Sequence, residues 1–143
     1  MSAAQELLER THKTAQTGKN TMEKLIPMLK DRDLNAIAQI QLDEYNRIYI
    51  SSEILLRSNG IQPDGVSGVA RTVNNMMIDV NMVANKSAPH AAGIMVEATD
   101  KGIKDIDIAI AQFGSSASAE AFNLASTLRD CLYRNRRELQ MFK

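Results

Sequence analysis

The sequence predicts an all-α protein: a four-helix bundle of two antiparallel hairpins, with a helical crossover between the second and third long helices. Three observations predict it. Apolar residues make up 44% of the 143 residues but aromatics only 4%, with no tryptophan, so the core must be built from Leu, Ile, Val, Met and Ala. Strand-like alternation of β-branched and polar residues runs nowhere for a useful length. Apolar or small residues recur at alternating spacings of four and three through four segments, the pattern of a bundle seam. A chain of this length reads as one domain, residues 1–143, able to bury a proper core.

The first helix is expected to start at Ser2, with Gln5 three residues on completing a capping box. Its seam runs Ala4, Leu8, Thr11, Ala15, Gly18, Met22, Leu25, Leu29. Pro27 removes a hydrogen bond and should kink or fray the last turn, and Asp31 or Asp33 is available to cap the next helix. The second seam runs Leu34, Ala38, Gln41, Tyr45, Ile48, Ser52, Leu55, flanked by Ile37, Tyr49 and Leu56. Gly60 is placed for a left-handed C-terminal residue, and Pro63 and Gly65 mark a turn.

From Val66 to Phe113 the apolar period is interrupted only at "NKSAPHAAGIM", residues 85–95. A continuous helix over that range would be roughly 70 Å long, against about 40 Å for each of the others. Half of it would have no partner. Ser87 as a cap and Pro89 in a first turn, where its missing N–H costs nothing, supply the remedy. The third long helix then has the seam Ala88, Ala92, Met95, Thr99, Gly102, Ile106, Ala109, Phe113. Residues 61–87 are left as a crossover with a helix of its own. The alternative is a helix kinked but unbroken at Pro89. The last seam follows "GSSAS" and runs Ser118, Ala121, Ala125, Leu128, Leu132, Asn135, Leu139, Phe142, with Asn135 a register-fixing polar residue.

Lys and Arg equal Asp and Glu at 17 each, which argues against a dedicated nucleic-acid binder. Charge nonetheless alternates by segment: residues 1–32 and 115–143 each carry +2, residues 33–60 and 88–114 each carry −2. Neighbouring hairpin partners therefore attract weakly. The single cysteine, Cys131, cannot form an intramolecular disulfide. No eighteen-residue apolar stretch is present and "MSAAQELLER" lacks the pattern of a secretory signal, so a soluble cytoplasmic protein is the expectation.

The segments "EYNRIYISSEILLRSNG" and "SAPHAAGIMVEATDKGI", with the helix lengths and connection order, resemble the ferritin-like four-helix-bundle superfamily. The likeness is nearest to its small uncharacterised bacterial members without iron chemistry. It extends over nearly the whole chain and implies a ferritin-like arrangement. Metal-bearing members use glutamates and two Glu-x-x-His motifs on inward faces. One formal match is present, Glu9-Arg-Thr-His12, beside the seam of Leu8, Thr11 and Ala15 and expected to be displaced toward solvent. Glu44 is followed three residues on by Arg47, Glu97 by Asp100, and Asp130 by Tyr133; Glu97 and Asp130 face away from the seams. The di-iron ligand set is incomplete. No catalytic residue, metal ligand or cofactor is assigned, and Glu9 and His12 read as solvated surface.

His90 reads as an exposed first-turn histidine. Cys131, with Arg129 and Arg134 near in sequence, reads as a buried structural thiol for want of a basic partner. Arg129, Arg134, Arg136, Arg137 and Lys143 concentrate near the C-terminus, where cations suit the negative end of a helix. The small residues Thr11, Ala15, Gly18, Thr99 and Gly102 permit close packing, or else a mid-bundle pocket lined by Gln41, Tyr45 and Ser52. Met76, Met77, Met82 and Met95 serve as core filler or as a sticky surface. The expected function is a non-enzymatic interaction or assembly module, homo-oligomeric or binding a protein partner through the crossover helix. The alternative is a degenerate ferritin-like metal or small-ligand carrier. Nucleic-acid binding through the C-terminal arginines ranks third.

Overall fold

Ser2 keeps extended backbone and accepts a hydrogen bond from the Gln5 amide, while the Gln5 side chain accepts from the Ser2 amide. This reciprocal cap starts α1 (Ala3–Leu25) where expected. The computed structural model describes residues 1–63 and 87–143. Pro27 ends α1 in a single 3-10 turn, Ile26–Met28, after which Leu29 is extended. Asp31 then caps α2 (Arg32–Ser58), its carboxylate accepting from the Leu34 amide at 2.9 Å. The Asn35 side-chain amide donates back to the Ile26 carbonyl at 3.2 Å, tying the hairpin shut.

At the other end of α2 the chain leaves through Gly60, whose φ is +76°. The Ile61 amide reaches the Leu56 carbonyl and the Gly60 amide reaches that of Arg57. These paired bonds form a Schellman motif, which needs a left-handed residue at that point. The expected crossover helix, including Met76, Met77 and Met82, lies outside the described residues.

Ser87 answers the question raised by Pro89. Its backbone is extended (φ −63°, ψ 152°) and its hydroxyl accepts from the His90 amide, so α3 (Ala88–Phe113) begins afresh at that residue. A helix running unbroken through the proline is ruled out. A second 3-10 turn, Gly114–Ser116, leads to α4 (Ala119–Gln140), capped by Ser118 through the Ala121 amide.

The long helices pack as a bundle. α1 touches the other three; α2 lies against α1 and α4, and α3 against α1 and α4, which leaves α2 and α3 diagonally opposite. Cross-helix contacts set the directions. Gly18 meets Tyr45 while His12 meets Tyr49, so α1 and α2 are antiparallel. Tyr133 bonds Asp107 while Arg136 bonds Asp100, so α3 and α4 are antiparallel. Gly102 meets Thr14 while Phe113 meets Arg10, so α1 and α3 are antiparallel too. It follows that α2 and α3 run the same way, and that Gly60 and Ser87 stand at opposite ends of the bundle.

The core is aliphatic, as the composition requires: Leu7, Met22, Leu34, Met95, Ile106 and Leu128 are all fully enclosed. Each such side chain contributes about 1.5–3 kcal/mol through loss of apolar surface to water. The seams hold with small shifts. Leu56 rather than Leu55 closes the α2 seam, and Val96 and Ile103 join that of α3. Because α1 faces three neighbours, it buries a broad face rather than a narrow stripe, with consequences for two of its polar residues.

Candidate functional site

Two regions carry the unusual chemistry of the described residues: a polar layer inside the bundle and an apolar stripe outside it.

The inner layer centres on Tyr45 of α2, Asn135 of α4 and Cys131 of α4. The Asn135 amide donates to the Tyr45 hydroxyl at 3.2 Å and to the Cys131 sulfur at 3.5 Å. The Cys131 thiol donates to a Glu44 carboxylate oxygen at 3.4 Å, and Glu44 in turn pairs with Arg134. Burial pushes the Tyr45 hydroxyl up to about 12, with the hydrogen bond from Asn135 and the neighbouring Thr99 hydroxyl opposing. Burial likewise raises Cys131 to about 11, with the Asn135 bond opposing. Both groups stay protonated at neutral pH, and a protonated, enclosed thiol is a poor nucleophile. The network joins α2 to α4.

His12 requires a correction. Sequence spacing placed Glu9 and His12 toward solvent, yet they are only 6% and 1% exposed. The cause is the breadth of the α1 face: α2 comes close enough for the Tyr49 ring to stack on the imidazole, centroids 4.7 Å apart. Neither ring nitrogen of His12 makes a hydrogen bond, and the nearest acid, Glu53, is 4.0 Å from Nε2. Burial lowers the His12 pKa below 6.5, Glu53 opposing and Arg57 and Lys13 assisting. Among the described residues, no three His, Cys, Asp or Glu side chains converge as a metal ion would need.

The small residues at mid-length are occupied by neighbours. The Tyr45 ring fills the space over Gly18, and Leu132 with Thr14 fills that over Gly102. The hydroxyls meant to line a pocket are turned back on their own helices: Thr11 to the Leu7 carbonyl, Thr99 to Met95 and Ser52 to Tyr49. Gln41 differs, being fully buried with neither amide atom hydrogen-bonded within the protein.

Of the C-terminal cations, Arg134 pairs with Glu44 and Glu138, and Arg136 pairs with Asp100 of α3. These two arginines fasten α4 to its neighbours. His90 sits half-buried in the first turn of α3, and Met95 is fully enclosed core.

The outer region was not anticipated. On the side of α2 turned from the core, Ile40, Ile50 and Ile54 are 59%, 47% and 61% exposed. They belong to a second series of exposed residues, Ala36, Ile40, Asp43, Arg47, Ile50 and Ile54, again spaced four and three. Ile108 on α3 is also exposed but stands among Lys101, Lys104 and Asp105. The signal is present in the sequence: α2 carries two four-three seams half a helical turn apart, one facing the core and one facing outward.

No family model, curated protein or solved structure matches the chain, so its functional reading rests on these two regions.

Proposed function

We propose that this protein is a non-enzymatic assembly module, a helical bundle that self-associates through the outer face of α2. The observation that carries the reading is the exposed isoleucine series. Three large apolar side chains on one outward helix face remain 47–61% exposed, in a register that a second helix can engage. The interior supports the same reading. Tyr45 and Cys131 are held in their neutral forms and the Thr11 and Thr99 hydroxyls are turned back on their own helices, which suits a scaffold.

Sedimentation velocity over a wide concentration range tests it. The wild-type chain is expected to shift reversibly from monomer to dimer, and the Ile50→Glu/Ile54→Glu variant to remain monomeric with an unchanged helical spectrum. A wild-type chain that stays monomeric at the highest concentration defeats the proposal.

One observation favours a second reading, a metal or small-ligand carrier: the enclosed His12, with both nitrogens free of hydrogen bonds, one turn after buried Glu9. Metal analysis of protein purified without chelator separates the two. Stoichiometric iron, manganese or zinc that is lost in His12→Phe would favour the carrier.

A further inference from the structure

We infer that α2 pairs with α2 of a second copy in antiparallel fashion, about a two-fold axis level with residue 45. This inference rests on the assembly reading above and specifies its partner and register.

The outer series reads Ala36, Ile40, Asp43, Arg47, Ile50, Ile54, and its chemistry is palindromic. Reversing one copy brings Ala36 opposite Ile54 of the other, Ile40 opposite Ile50, and Asp43 opposite Arg47. Symmetry repeats each pairing in the other half, as an isologous contact demands. Apolar then faces apolar at both ends, and carboxylate faces guanidinium on either side of the axis. A parallel arrangement would set Asp43 on Asp43 and Arg47 on Arg47, which is repulsive at both charged positions.

The charges themselves support this. Glu44, Arg57, Arg134 and Arg136 all have ion-pair partners within the chain. Among the described residues, no ion pair engages Asp43 or Arg47, and both are exposed. The two groups needed at the centre of the contact are therefore uncommitted.

Size sets the strength. Residues 36 to 54 span about 27 Å of helix. A contact of that length falls at the low end of specific interfaces, below about 1,200 Å² of total buried surface. The dimer should be reversible and of micromolar order, with knobs-into-holes packing at a shallow crossing angle.

Disulfide trapping tests the register, using chains that keep the enclosed Cys131 as an unreactive internal control. Ile40→Cys and Ile50→Cys are oxidised separately and as an equimolar mixture. The inferred register gives a cross-linked heterodimer only in the mixture, because residues 40 and 40 lie about ten residues, roughly 15 Å, out of step. Charge reversal gives an independent readout. Asp43→Arg or Arg47→Asp should each weaken the dimer roughly tenfold or more, and the double variant should recover most of the loss. Self-cross-linking of either single variant overturns the antiparallel register while leaving assembly intact. A dimer by sedimentation with no trapping in the mixture places the contact on another face and likewise overturns it. A monomer by sedimentation defeats the assembly reading itself.

Discussion

The ring of Tyr45 lies directly on the backbone of Gly18: a β-carbon there would stand 3.0 Å from Cδ2 and 3.1 Å from Cε2 and Cγ. An alanine is normally favoured over a mid-helix glycine by about 1 kcal/mol. At this position the ring is in the way, and it cannot retreat, being fully enclosed and held at its hydroxyl by Asn135. Overpacking of this kind costs about 1–3 kcal/mol. Gly18→Ala is therefore expected to lower the urea midpoint, and to raise it in a Tyr45→Leu background where the ring is gone. Gly102→Ala is the control. Its nearest neighbour is a Leu132 methyl at 3.3 Å, the flexible end of a side chain, so the expected change is small. Equal effects at both glycines would contradict the close approach.

His12 makes stability depend on mildly acid pH. Burial depresses its pKa from 6.5, so the unfolded chain binds the proton more tightly than the folded one. The stabilisation is complete above the unfolded value and declines as pH falls below 6.5 toward the folded one. Glu53 partly offsets this, while Arg57 and Lys13 reinforce it. His12→Phe keeps a ring against Tyr49 and removes two nitrogens that lack hydrogen bonds. It should raise stability by about 1 kcal/mol at neutral pH and flatten the acid limb. Denaturation midpoints measured across that range for both proteins check it. Parallel curves would mean that the imidazole is not the group responsible.

Most of the frame was legible in the sequence because short-range chemistry determines it. Ser2 and Ser87 cap the helices they were expected to cap, Asp31 does so as one of two candidates, and Gly60 takes its left-handed turn, whereas Ser118, expected as the first seam residue of the last helix, is its exposed cap. Those decisions involve residues three or four apart. The seams were legible for the same reason. Burial of Glu9 and His12 was not, because it depends on how many neighbours α1 acquires, and a helical period cannot report that. Nor could spacing show that Arg134 and Arg136 are tied to Glu44 and Asp100, residues 90 and 36 positions away. The outer stripe of α2 is the opposite case. It was readable, but a seam invites the search for one apolar face per helix, and α2 has two.

Gln41 offers the sharpest test of whether the interior is only a scaffold. It lies on the α2 seam, fully enclosed, with neither amide atom hydrogen-bonded within the protein. Burying such a group without partners costs about 1–3 kcal/mol. Gln41→Leu, similar in size and apolar, should therefore stabilise the fold by about that amount. Asn135→Leu should do the reverse, since its amide serves Tyr45 and Cys131 and its loss would remove a hydrogen bond from the buried tyrosine hydroxyl. Both are read from urea midpoints at neutral pH. Opposite signs would mark Gln41 as a tolerated cost and Asn135 as the residue that fixes α2 against α4. A destabilised Gln41→Leu would mean that the amide holds a water or small molecule inside the bundle, and the carrier reading would then gain ground over assembly.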